Sequence, residues 1–238
     1  MFFAVETGDD QYEFELLKAI ENENVSQVEK LLGRPYHADP NFKIGEKSML
    51  IYAVETGNMT IASMLVDAGA DLNDELVWFI RSARMFDRYL VQRLLDLRAD
   101  INHVSCHQYT PLAAACEGSD RRAVKFLLDA RADPNFMEEN RSPLAEAATL
   151  PYGKPIIEML LQADAEVDII DFYGITPLAL ACASGHAENV KLLLASKADP
   201  NYYGRDQVIA INEAMSLGSD GEHIVQILLD AGAIPTDE

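Results

Sequence analysis

The apolar positions of this chain fall into short helical stripes, broken at nearly regular intervals by polar turns. The stretch from Asp171 to Asn201 displays the pattern best. Leu178, Ala181 and Cys182 stand at i, i+3 and i+4, which makes one apolar face on a helix. Thr176 is placed to cap that helix, and Pro177 suits its first position, where a missing N–H costs nothing. Small residues along the face let a neighbouring helix come close. Gly185 can end the helix in a left-handed conformation. Val190, Leu193 and Leu194 give a second helix its apolar face, and Ala198-Asp199-Pro200-Asn201 turns the chain away. Two such short helices cannot bury both faces by themselves, so the pair must stack on others like it.

Copies of the pattern run along the chain. The phrase Ala-Asp-Pro-Asn or a close variant ends at Asn41, Asn73, Asn102, Asn135 and Asn201, with the looser Ala165-Glu166-Val167-Asp168 between the last two. From Asn102 onward the spacing is 33 residues, and before it 32 and 29. A second phrase keeps a fixed offset: Thr110-Pro111-Leu112, Ser142-Pro143-Leu144 and Thr176-Pro177-Leu178. Each is followed by an Ala-rich segment and then by Leu127-Leu128, Leu160-Leu161 or Leu193-Leu194.

With these phrases in phase, the chain resembles the ankyrin repeat family over nearly its whole length. The resemblance implies an all-α solenoid of stacked helix-turn-helix units with short finger hairpins, curved with a concave face. The repeats divide at 12–41, 42–73, 74–102, 103–135, 136–168, 169–201 and 202–234, after an extension at 1–11 and before a tail at 235–238. The stack is expected to be uneven. Asn73 to Phe79 is too short for a finger, so the third repeat lacks one. Pro151-Tyr152-Gly153-Lys154-Pro155 makes a longer, stiffer link in the fifth, and Gly33 to His37 lengthens the exit of the first. The seventh is degenerate and serves as a cap. Phe3 to Gly8 echoes Tyr52 to Gly57, which predicts a short helix over the first repeat.

Composition bounds the function more than it defines it. Hydrophobic residues make up 49% of the 238, enough for a sizeable core. No apolar run is long enough to span a bilayer, and the first ten residues lack the features of a signal or transit peptide. The expected setting is cytoplasmic, with the nucleus as an alternative. Three scattered cysteines fit reduced thiols. A formal net charge of −20 repels phosphate backbones and so argues against nucleic acid, while attracting a basic partner.

Catalytic signatures are missing: there is no Gly-rich phosphate loop, nucleophile elbow or metalloprotease helix motif. His103-Val104-Ser105-Cys106-His107 has metal-ligating residue types, but falls on a finger without a second ligand set, so a polar hairpin tip is the simpler reading. Cys116 and Cys182 share one repeat position and read as small core residues. Trp78 reads as core filler beside the missing finger. His186 resembles the family's structural hydrogen-bonding residue.

The reading is therefore a non-catalytic module, an adaptor, scaffold or inhibitor, with no cofactor and no metal, monomeric when free. It holds a protein partner that is basic or presents an exposed apolar segment. The alternative is a permanent subunit of a larger assembly; an enzyme or metal-binding protein ranks below both. In the family the concave face carries contacts from the first helices and the fingers. The corresponding candidates here are Arg84, Met85, Tyr109, Met137, Leu150, Phe172, Tyr173, Ile175, Tyr203 and Arg205. Exposed aromatics and Met on loops are typical anchors.

Overall fold

The apolar stripes become helices wherever the residues can be followed. The structure is a computed structural model that describes residues 11–45, 47–82, 86–137, 142–171, 173–202 and 209–235. Among them are fourteen α-helices in seven consecutive pairs. The molecule divides into two compact units, one of residues 1–79 and 87–100 and the other of residues 80–86 and 101–238.

The first unit begins with α1 (Gln11–Glu21) and α2 (Val25–Leu32), followed by α3 (Met49–Thr56) and α4 (Met59–Asp67). Between these pairs lies a small hairpin, β1 (Lys43–Ile44) against β2 (Lys47–Ser48), in antiparallel register with Lys43 opposite Ser48. Leu16, Ile20, Val28, Leu31, Met49, Leu50, Ile61 and Leu65 form its core. Next comes α5 (Leu72–Ser82), which belongs to this unit as far as residue 79, and then α6 (Arg88–Asp96). The stretch read as a shortened finger is itself helical, because α5 starts at Leu72, only four residues beyond α4. Asp71 Oδ1 accepts from the Asp74 amide, and Leu76 and Val77 are buried, so the first helix of this pair grows into the space of the missing hairpin. Trp78 is half-buried rather than sealed in the core, with Lys43 Nζ 5.8 Å from its ring centre. Lys43 also pairs with the buried carboxylate of Glu75 at 2.9 Å.

The second unit stacks four pairs: α7 (Pro111–Glu117) with α8 (Arg121–Asp129), α9 (Pro143–Ala148) with α10 (Lys154–Gln162), α11 (Pro177–Ala183) with α12 (Ala187–Ala195), and α13 (Ala210–Ser216) with α14 (Glu222–Asp230). A 3-10 turn, Gly218–Gly221, joins the last two. The first helices pack side by side in order, and so do the second helices. Ala113, Ala145 and Ala179 are buried at one equivalent position, and Leu112, Leu144 and Leu178 at another. Cys116 and Cys182 are buried where Ala148 stands in the pair between them, as small core residues should be.

Side-chain caps fix where three first helices of the second unit begin. Thr110, Ser142 and Thr176 accept from the amides of Ala113, Ala145 and Ala179, each with proline following. Gly185 has a φ of 74°, the left-handed value expected of it. Adjacent pairs are then tied at their turns. Asn135 Oδ1 accepts from the Glu166 amide while its Nδ2 donates to the Asp164 carbonyl, and Asn201 does the same with Ile234 and Gly232. The His186 ring Nε2 lies 3.0 Å from the Thr149 carbonyl oxygen, which bears out its structural role.

Candidate partner-binding site

Two fingers of the second unit show how the chain holds side chains up for contact. In the later one, the Asp171 carboxylate accepts from the amides of Tyr173 (2.9 Å) and Ile175 (2.8 Å). The Asp171 amide donates to the Ile175 carbonyl, and the Gly174 amide donates to the Asp171 carbonyl. Gly174 has a φ of 78°, which a residue with a Cβ adopts reluctantly. Asp171 is 7% exposed and its loop is thereby locked, while Tyr173 at the tip is 62% exposed. The earlier finger repeats this backbone pattern, with Ser105 in place of Asp171, Gln108 (φ 66°) in place of Gly174, and Tyr109 in place of Ile175.

Tyr109 is half-buried and already engaged. Its hydroxyl lies 3.3 Å from Glu117 Oε1, and the Arg81 guanidinium sits over its ring at 4.6 Å. Arg81 in turn donates to both Glu117 oxygens, at 2.9 and 3.2 Å. Burial, together with the charges of Glu146 and Glu117, holds the Tyr109 phenol above its ordinary value. The bond to Glu117 raises Arg81 as well. Glu146 is 9% exposed, and its charge acts on both Tyr109 and Cys116. Burial pushes the Cys182 thiol up to about 12 and Cys116 higher still, so neither is a ready nucleophile.

Of the other expected contacts, Ile175, Met137 and Leu150 are half-buried. Phe136 beside Met137 is 42% exposed. Arg84, Met85, Phe172, Tyr203 and Arg205 lie outside the described residues, as does the short helix expected near the N-terminus. On the His103–His107 finger, Cys106 Sγ stands 3.1 Å from His107 Nδ1. Among the described residues, no group of three or more His, Cys, Asp or Glu side chains is arranged to hold a metal ion. No helix there is long and apolar enough to cross a membrane.

The most exposed aromatic among the described residues escaped the candidate set. Tyr152, in the link between α9 and α10, is 84% exposed. The two prolines around it signal a stiff loop, but periodicity alone cannot say which way a loop residue points.

Comparison with known proteins agrees with this architecture. A family model described as ankyrin repeats (3 copies) matches residues 79–171 and again 151–238. A putative ankyrin repeat protein of Escherichia coli strain K12, YahD, is 35% identical over 144 residues, covering 56% of this chain and 72% of the relative. Ankyrin repeats are in general protein–protein interaction modules. Two-thirds of the chain matches the family model, and the capped, paired and laddered helices follow the same plan: the chain belongs to the ankyrin repeat family.

Proposed function

We propose that this protein is a non-catalytic binding module, an array of seven repeats that works as an adaptor, scaffold or inhibitor. Its partner is a protein, gripped by the finger tips and first helices of the second unit. The observation that carries this reading is the locked turn under Tyr173. An aromatic whose backbone amide is already bonded loses less backbone entropy when it binds, which is what an anchor needs. Ile175, Leu150 and Met137 supply flanking apolar surface, and the net charge of −20 favours a basic partner. We place Arg84, Met85, Phe172, Tyr203 and Arg205 on the same side from their repeat positions.

The test is affinity purification from the native cells, identification of the bound protein by mass spectrometry, and titration of that purified protein against variants. Tyr173→Ala with Ile175→Ala should weaken binding by at least about tenfold, or about 1.4 kcal/mol, with the melting temperature unchanged. Undiminished binding by the folded double variant would remove the finger side as the grip. A free chain eluting as a monomer is the expected state; elution only within a large complex would point to a permanent subunit.

A further inference from the structure

The link from α9 to α10 is built to hold Tyr152 out. It has five residues (149–153), where the links α7–α8 and α11–α12 have three. Its carbonyls are tied to the next pair: Asn189 Nδ2 donates to Ala148 (3.0 Å) and Leu150 (2.8 Å), and His186 reaches Thr149. Gly153 is buried, and a Cβ there would come within 2.0 Å of the Ala147 carbonyl oxygen, so the loop sits flat on its own helix. From this fixed base Tyr152 projects at 84% exposure, more than any other large apolar side chain among the described residues.

The charges around it run against the rest of the molecule. Acidic residues outnumber basic ones 39 to 19 in the chain. Yet the N-terminal halves of the packed second helices carry Arg121, Arg122 and Lys125 on α8, Lys154 on α10 and Lys191 on α12, all exposed. On the same halves stand Glu158 and Glu188; Asp120 is engaged in capping α8. Glu188 lies 2.9 Å from Lys191 and 4.0 Å from Lys154, whereas among the described residues Arg121, Arg122 and Lys125 make no ion pair.

Folding does not ask for this arrangement. Cations at a helix N-terminus oppose the macrodipole, and Arg121 and Lys125 repel each other at i,i+4. A surface that breaks local rules without gain to the fold is where a function is expected.

We propose that this edge, formed by the Tyr152 loop and the N-terminal halves of α8, α10 and α12, is a second protein-docking surface, fitted to an acidic, partly apolar segment of a partner. Carboxylates of that segment pair with Arg121, Arg122, Lys125 and Lys154. An apolar side chain of the segment packs against the exposed ring of Tyr152. The surface is separate from the fingers and does not depend on them.

The test uses the full chain and a short fluorescein-labelled peptide of glutamates around a central Leu-Phe pair, read by anisotropy. Binding should weaken with added salt, and a lysine version of the peptide should fail to bind. Arg122→Glu with Lys125→Glu should reduce affinity by at least about tenfold without lowering the melting temperature, since reversal relieves the helix end. Tyr152→Ala should also weaken binding, and Tyr173→Ala should not. Equal binding of both peptides, or no effect of the charge reversal, overturns the proposal. So does a preference for oligothymidylate over the acidic peptide, because the cations would then be reading phosphate. Loss through Tyr173→Ala alone would move the peptide to the fingers, sinking this surface and leaving the finger reading intact.

Discussion

One side-chain exchange distinguishes the junction after the fifth pair. Asn41, Asn135 and Asn201 each accept from a backbone amide and donate to a carbonyl of the following pair. Asp168 holds the same place, and both its oxygens face the Asp199 amide, at 3.1 and 3.2 Å. A carboxylate cannot donate, so the second half of the clasp is missing. Burial, then the nearby Asp199 charge, raises the Asp168 carboxyl above its ordinary value. Asp168→Asn restores a donor and should stabilise the protein by about 0.5–1 kcal/mol at neutral pH, measured by urea denaturation. The sign with pH follows from linkage. With the folded value raised, Asp168 contributes stability in full below its unfolded value, and that contribution is lost as pH rises through the folded one. The advantage of the Asn variant should therefore shrink as the solution is acidified through the carboxylate range, and a constant gap would show that ionisation is not the cause. A second residue-level prediction concerns Asn189, 2% exposed and bonded to two carbonyls. Asn189→Ala leaves both without that partner and should cost about 1–3 kcal/mol. The polar ladder was visible in the sequence as a recurring Asn, but nothing in the phrase Ala165-Glu166-Val167-Asp168 revealed what its final Asp forfeits.

At the scale of elements, helices were legible because each is short and punctuated. Thr176-Pro177 reads as a helix start on chemistry alone, and the hydroxyl does bond the Ala179 amide. Thr176→Ala should cost about 1 kcal/mol by chemical denaturation. The seventh pair lacks this device. Ile209 stands in the cap position without a side-chain bond, and Met215 is 55% exposed where Cys182 and Cys116 are buried in earlier pairs. Amides of α13 should thus exchange with solvent faster than those of α11, and equal protection would mean the missing cap is compensated. Two elements were harder to read. The stretch after Asn73 was seen to be too short for a finger, yet a length deficit does not say that a helix fills the gap. Likewise the prolines flanking Tyr152 announced stiffness, while the direction of its side chain depends on Asn189 and His186, more than thirty residues away.

For the molecule as a whole, stability in a repeat array is a sum of local terms rather than one core transition. The division into two compact units falls within the third pair, at the repeat whose finger is absent. The chain has a single tryptophan, Trp78, and it lies in the first unit. Its fluorescence should follow the unfolding of that unit, whereas far-ultraviolet circular dichroism follows all the helices. The two signals are expected to give transitions at different urea concentrations, as a protein that is not two-state must. A pair of superimposed curves would show instead that the third pair transmits cooperativity despite its shortened connection. Salt adds an independent handle. At a net charge of −20, self-repulsion opposes every compact state, and screening should raise both midpoints. Arg122→Glu adds negative charge to the molecule but removes a cation from the first turn of α8. If local helix electrostatics outweigh the global field, that variant melts no lower than the parent at physiological salt, where distant charges are screened and the helix end is not. At low salt the order should reverse, since the added charge then repels the whole acidic surface, and the crossing point measures how far the one basic edge has been set against the rest of the chain.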